Sequence, residues 1–245
     1  MSSINCEEGN VKLKYALMYA QMGLFVFPLH SVSDDGTCTC GKENCDHPGK
    51  HPRIKNWQND CSIDPKVIRA WWGKWPDANV AIATGKSNIF VIDIDPRHGG
   101  VESFKELRNK RSLDQPLASH TGGGGYHLIY RAPDGGVKNR TEVLPGIDVR
   151  GVGGYIVAPP SNHVSGYCYR WSNETIENHQ FGPMPDWLLK AITSKSAKDR
   201  EKTSVKNNVR RNAADILKGV PDGERDDTLF RYACVESRIK WTIFF

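Results

Sequence analysis

Three carboxylates and a histidine carry the chemistry that can be read from this sequence. In Phe90-Val91-Ile92-Asp93-Ile94-Asp95-Pro96 an apolar, β-branched run ends in two acids spaced by one residue. Side chains alternate along a strand, so Asp93 and Asp95 share one face, roughly 7 Å apart, while Phe90, Ile92 and Ile94 share the other. Two anions at the end of an apolar strand repel each other unless they share a cation. Carboxylates are preferred ligands of Mg²⁺ and Mn²⁺, and a pair bridging two ions about 3.5–4 Å apart is the arrangement that supports in-line phosphoryl transfer. The bland reading of Asp-x-Asp alone is a strand running out into solvent.

Two later segments add to this set. Gly122-Gly123-Gly124-Gly125 leads directly into Tyr126-His127-Leu128. Glycines allow close approach of the backbone and can turn N–H groups toward phosphate, and a histidine beside them can reach phosphate oxygens. In Ile147-Asp148-Val149-Arg150, Asp148 and Arg150 share a face: a third carboxylate beside a cation suited to bidentate phosphate binding. The cysteines form a second constellation. Three of the chain's seven cysteines, Cys38, Cys40 and Cys45, together with His47 and His51, place five soft or borderline ligands within fourteen residues. Zinc takes four, and a saturated Cys3His set is structural. His47 lies close behind Cys45 for a tetrahedral wrap, whereas Pro48 and Gly49 turn the chain back before His51, so His51 is the expected fourth ligand and His47 the alternative. The surrounding Asp34, Asp35, Gly36, Gly41, Pro48 and Gly49 cannot build a core, so a metal would supply the missing order.

The elements that position these residues follow from local signals. Leu13, Ala16, Leu17 and Ala20 repeat at helical spacing, with Gly23 as a stop. Leu24 to Phe27 reads as a short strand ended by Pro28. Asp64-Pro65 opens a helix as N-cap and first helical position. Strands are expected at 80–83, 89–95, 126–130, 147–150 and 155–158, with helices near 101–108 and from Pro185 to about 192. Strands and helices mix without strict alternation, which gives an α+β class. The net charge of +5 is local: residues 193–211 hold seven Lys/Arg against two Asp/Glu and read as a basic linker. No apolar run approaches the roughly 18–20 residues of a membrane span, and neither the basic nor the apolar region of a signal peptide is visible, so a cytoplasmic protein is expected.

Taken in order, Asp93-Ile94-Asp95, Gly-Tyr126-His127, Gly146-Ile147-Asp148-Val149-Arg150-Gly151-Val152-Gly153-Gly154-Tyr155 and Ala158-Pro159-Pro160-Ser161 resemble the bifunctional primase-polymerase domain of the archaeo-eukaryotic primase superfamily, of the phage and plasmid replication type. The resemblance covers about residues 11–192 and includes Gly49-Lys50-His51-Pro52. It implies a two-module core with an RNA-recognition-like mixed sheet, and primer synthesis and DNA extension from dNTPs or NTPs on a single-stranded DNA template. It also implies two Mg²⁺ or Mn²⁺ ions on Asp93, Asp95 and Asp148, and His127 on the incoming triphosphate. Gly124, Gly125, Lys50, Arg150 and Ser161 are placed with the nucleotide, and Arg53 is a further candidate for phosphate neutralisation. Gly125 stands where the family often has Ser, and a backbone N–H can take over from the hydroxyl. Similar Cys/His loops beside Gly-Lys-His-Pro in relatives again favour His51.

The expected organisation is a catalytic domain over 1–192 with its zinc loop at 34–53, the linker at 193–211, and the start of a helical primase C-terminal domain at 212–245, cut short. No P-loop sequence is present in the chain, so a replicative helicase would be a separate partner or lost by truncation. The host would be prokaryotic and the gene carried by a phage or plasmid. Two other classes compete: a non-catalytic zinc-containing nucleic-acid-binding replication module, and a glycosyltransferase using Asp-x-Asp. The first leaves the three intact acids without a role, and the second leaves Asp148 and the cysteines without one.

Overall fold

The computed structural model describes residues 11–108, 111, 116–172, 176 and 179–193. In chain order the elements are α1 (Val11–Gln21), β1 (Val26–Leu29), α2 (Trp57–Asp60), α3 (Pro65–Lys74), β2 (Asn79–Ala83), β3 (Ile89–Ile94), a 3-10 turn (Pro96–His98), α4 (Gly100–Arg108), β4 (Leu117–His120), β5 (Tyr126–Arg131), β6 (Arg140–Leu144), β7 (Ile147–Arg150), β8 (Tyr155–Ala158), β9 (Arg170–Trp171) and α5 (Asp186–Thr193). The class is α+β, as expected. The linker at 193–211, beyond Thr193, and the segment at 212–245 lie outside the described residues.

The strands form a three-stranded sheet ordered β1-β2-β8 and a six-stranded sheet ordered β6-β7-β3-β5-β4-β9. The chain divides into two compact units: 1–93, 115–140 and 149–184 in the first, and 94–114, 141–148 and 185–245 in the second. It passes from one to the other after Asp93, near the end of β3, and after Asp148, within β7.

In the first unit the small sheet is antiparallel, with Val26 opposite Ile82 and Val80 opposite Ala158. Its strands read as continuous apolar runs because both faces are covered. One face, with Val26, Val80, Ile82, Ile156 and Ala158, packs with Ala16, Tyr19 and Ala20 of α1, Ile68 and Trp72 of α3, and Ile89, Val91, Leu117 and Ile129 from the larger sheet's strands. The other face buries Phe27, Leu29, Ala81, Ala83 and Val157 with Cys61 and Tyr169. Each large side chain fully buried in this way contributes about 1.5–3 kcal/mol. The Tyr19 hydroxyl donates to the Pro159 carbonyl at 2.6 Å and accepts from the Trp171 indole at 2.9 Å, fixing α1 to the turn after β8.

Helix α3 begins as its sequence dictates. The Asp64 carboxylate accepts from the Lys66 amide at 2.8 Å, with Pro65 in the first turn. Pro28, by contrast, does not end β1 but sits inside it, opposite Val80. β1 is an edge strand, where a residue without an N–H removes no ladder bond from a central position. Strands β4, β6 and β9 lie outside the expected set. β6 and β9 are the two edges of the larger sheet and are largely polar, and β4 is four residues long with two polar positions.

The second unit is built around a close backbone contact. The Asp95 amide donates to the Gly146 carbonyl at 2.8 Å, and the Gly100 amide to the Asp95 carbonyl at 2.9 Å. A Cβ on Gly100 would lie 2.4 Å from the Gly146 oxygen, so only glycine permits α4 to start there. The Ser103 hydroxyl then donates to the Pro145 carbonyl at 2.7 Å, and Arg111 lies over the Trp187 ring of α5.

Candidate active site and metal-binding loop

β3 is buried along its length until Asp93, the first position that is partly open. The Asp93 side chain is 23% exposed and meets two cationic or ionisable groups from other strands. Arg150, from β7, donates from Nε and Nη2 to Asp93 Oδ2 at 3.3 and 3.1 Å. His127, from β5, places Nε2 3.6 Å from Asp93 Oδ1. Its ring is buried, with Nδ1 3.4 Å from the Ser119 hydroxyl on β4 and its face stacked near Tyr169. An Nε2–H tautomer satisfies both contacts: the proton faces the carboxylate and Nδ1 accepts from Ser119. Burial lowers the imidazole's pKa below its ordinary value; Asp93 opposes this, and the charges of Arg150 and Lys50 reinforce it. The imidazole is therefore neutral at physiological pH and set among groups that manage negative charge.

Lys50 follows the cysteine loop, and its carbonyl accepts from the Tyr155 hydroxyl at 2.9 Å. Tyr155 closes the Gly-Val-Gly-Gly-Tyr run and stands edge-on to Trp57 and Phe27; its place in that run was the only signal of a role. The Gly-rich turn is built for closeness. Gly122 lies against His163, whose Cβ would be 2.2 Å from a Cβ on that glycine. The amides of Gly124 and Gly125 donate to the carbonyl and hydroxyl of Thr121, at 3.1 and 2.9 Å, and so close the turn that delivers His127. Ser161 is fully buried, its hydroxyl accepting from the Val80 amide at 2.9 Å. Arg53 lies in the metal loop, donating to Thr39 Oγ1 at 2.7 Å and the Leu29 carbonyl at 3.2 Å.

Asp95 and Asp148 belong to the second unit. Asp95 follows β3 and caps the 3-10 turn, accepting from the Arg97 amide at 3.0 Å. Arg97 Nη2 and His98 Nδ1 lie 2.9 and 3.0 Å from its Oδ2. Burial pushes the Asp95 pKa up, but the bonds from Arg97 and His98 outweigh it and leave the group below the ordinary carboxylate range. Asp148 Oδ1 accepts from the Glu142 amide at 2.7 Å, across the β6–β7 turn, where Glu142 adopts φ +48°.

The cysteine loop gathers its expected ligands. Ligand atoms of Cys38, Cys40, Cys45 and His51 all lie within 4.8 Å of one another; His47 is not among them. Cys38 Sγ and Cys45 Sγ lie 3.3 and 3.4 Å from His51 Nε2. Tetrahedral zinc with ordinary Zn–S and Zn–N bonds requires an S···N edge of about 3.6 Å, so the set fits a zinc ion. The Lys42 amide hydrogen-bonds Cys40 and favours its thiolate, whereas burial pushes the Cys45 thiol up. Zinc bound here would supply order to a loop without a core, and a saturated four-ligand set leaves no position for a reacting group. A further layer holds the ligands. Thr39 Oγ1 accepts from the Ser31 amide at 3.0 Å as well as from Arg53, and His30 stacks on His51 with centroids 4.5 Å apart. Thr39 was not foreseen, since a threonine between two cysteines carries no sequence signal of its own.

The structure thus brings Asp93, Arg150 and the buried His127 together beside a Gly-rich turn, on an α+β scaffold whose Cys3His loop could hold zinc. Residues 16–187 match the family described as bifunctional DNA primase/polymerase, N-terminal, and the chain belongs to that family. A primase/polymerase role, with DNA and nucleotides as partners and a part in DNA replication, is what membership carries at the level of the family. No curated protein matches the chain. Among the described residues no helix is long and apolar enough to cross a membrane.

Proposed function

We propose that the chain synthesises primers and extends DNA by template-directed nucleotidyl transfer, with Asp93, Asp95 and Asp148 as ligands of two Mg²⁺ or Mn²⁺ ions. The observation that carries this reading is the convergence of Arg150 and His127 on Asp93, inside a chain of the primase/polymerase family. Divalent ions bound there would activate the attacking 3′-oxygen and stabilise the leaving pyrophosphate.

The protein's own groups do the positioning. Arg150 presents a planar fork suited to phosphate oxygens, and the neutral His127 donates a hydrogen bond without competing for a metal's charge. Lys50 is the further cation proposed for the phosphates. The zinc loop is structural, and the replicon is that of a phage or plasmid. The test is incorporation of labelled dNTPs and NTPs on primed and unprimed single-stranded DNA with Mg²⁺ or Mn²⁺. Product on both templates supports the reading, and absence of product under every combination, from protein of intact fold, overturns it.

A further inference from the structure

Strand β4 carries a hydroxyl on a face that is otherwise apolar. Leu117 and Ser119 point the same way along the strand. Across the ladder Leu117 lies opposite Ile129 in the core, while Ser119 lies opposite His127 on β5 and Trp171 on β9. Ser119 is fully buried, and among the described residues its hydroxyl has a single hydrogen-bond partner, His127 Nδ1 at 3.4 Å. The Trp171 indole on the other side is turned to Tyr19 instead, at 2.9 Å. A buried hydroxyl costs stability unless it is bonded, so alanine would meet a packing role here at lower cost.

The imidazole is held on two sides. Tyr169 backs its face, with ring centroids 6.1 Å apart and an interplanar angle of 29°, and the Tyr169 amide is itself tied to the Ser161 carbonyl at 2.8 Å. Ser119 meets Nδ1, which leaves Nε2 standing 3.6 Å from Asp93 Oδ1. The two neutral tautomers are not equivalent in these surroundings. With the proton on Nδ1, Nε2 would turn a lone pair toward a carboxylate. With the proton on Nε2, the ring donates toward the carboxylate and Ser119 donates to Nδ1.

We propose that Ser119 is a positioning residue of the nucleotide site: its hydroxyl holds the His127 imidazole as a fixed Nε2–H donor for the oxygens of a nucleoside triphosphate. The inference rests on the nucleotide reading of the His127 site given above. Without the hydroxyl the ring is free to exchange tautomers or turn over, and the donor must be ordered again at each binding event, which costs affinity. Ser119 acts on the ligand only through His127.

The experiment joins two measurements on the full chain. One is a titration with a fluorescent nucleoside triphosphate in Ca²⁺, which supports binding without turnover. The other is nitrogen NMR of protein carrying labelled histidine, at a fixed neutral pH, with His127→Ala assigning the signals. The wild type should show Nε2 protonated and Nδ1 accepting a hydrogen bond. Ser119→Ala should shift the Nδ1 signal and weaken nucleotide binding about three- to tenfold. In the His127→Ala background the same substitution should cost nothing more, whereas a purely structural role would cost as much in either background. Wild-type affinity in Ser119→Ala, an additive loss in the double variant, or a wild-type ring protonated at Nδ1 overturns the proposal. Wild-type affinity in His127→Ala sinks the nucleotide reading itself, and the Nδ1 signal of Ser119→Ala then decides alone whether the serine holds the ring.

Discussion

Asp93 takes its partners from two other strands of the larger sheet. Arg150 and His127 both face it, so Asp93→Asn removes the counter-charge of a half-buried guanidinium together with a proposed metal ligand. Nucleotide incorporation should fall by about a hundredfold or more, with a far-UV circular dichroism spectrum like that of the wild type. Incorporation near the wild-type rate would remove Asp93 from catalysis. His127 makes a separate prediction about pH. Its folded pKa lies below the unfolded value of about 6.5, because burial favours the neutral ring. Below that pH the unfolded chain takes up a proton that the folded chain refuses. Stability is thus complete above about pH 6.5 and is lost as pH falls toward the lowered folded value. Replacing His127 with Asn should flatten the loss of Tm between neutral and mildly acidic buffer. An equally steep loss in the variant would show that the acid sensitivity arises elsewhere.

At the scale of elements, the small sheet and the cysteine loop are joined through Asn79. This fully buried residue of β2 donates to the Gly49 and Asn162 carbonyls at 2.9 Å each and accepts from the Asn162 amide and Lys12 at 3.0 Å. Asn162 in turn exchanges bonds with both backbone groups of Val32, at 3.2 and 2.6 Å. Asn79→Ala leaves several backbone groups unpaired where water does not easily reach, and should cost about 2–4 kcal/mol in a urea titration. A cost under about 0.5 kcal/mol would mean that the loop anchors without it. This link explains what the sequence concealed. β3 and β7 were legible because apolar alternation and paired acids are local patterns, and α3 because its cap and its proline are adjacent. The partnership of Arg150 with Asp93 joins residues 57 positions apart, and Asn79 reads as a polar intruder beside an apolar run. The edge strands β6 and β9 have too little apolar surface to register as strands, and Pro28 was misleading because position in the sheet outweighs local propensity. His51 was separable from His47 because a turn of Pro48 and Gly49 is itself a local signal.

At the scale of the whole molecule, charge is distributed unevenly. The formal excess of +5 equals that of residues 193–211 alone, where seven Lys/Arg stand against two Asp/Glu. Residues 1–192 are electrically near balance, and Arg150 among their cations is bonded to Asp93. Affinity for a nucleic-acid backbone is expected to draw on the basic segment, where the net positive charge is concentrated. Binding to single-stranded DNA should weaken steeply with salt, since each neutralised phosphate contributes about 0.7 to the slope of log K against log salt. Replacing the seven cations with glutamine should lower that slope by up to about 5 in magnitude if all engage phosphates. Incorporation at saturating template should stay near the wild-type rate, because the groups proposed for the nucleotide and the catalytic metal ions all come from residues 50–161. The measurement is fluorescence anisotropy with a labelled oligonucleotide from low to moderate salt, paired with a primer-extension assay. An unchanged slope would place the template contacts elsewhere on the chain, and a lost rate at saturating template would bring the segment into the active site.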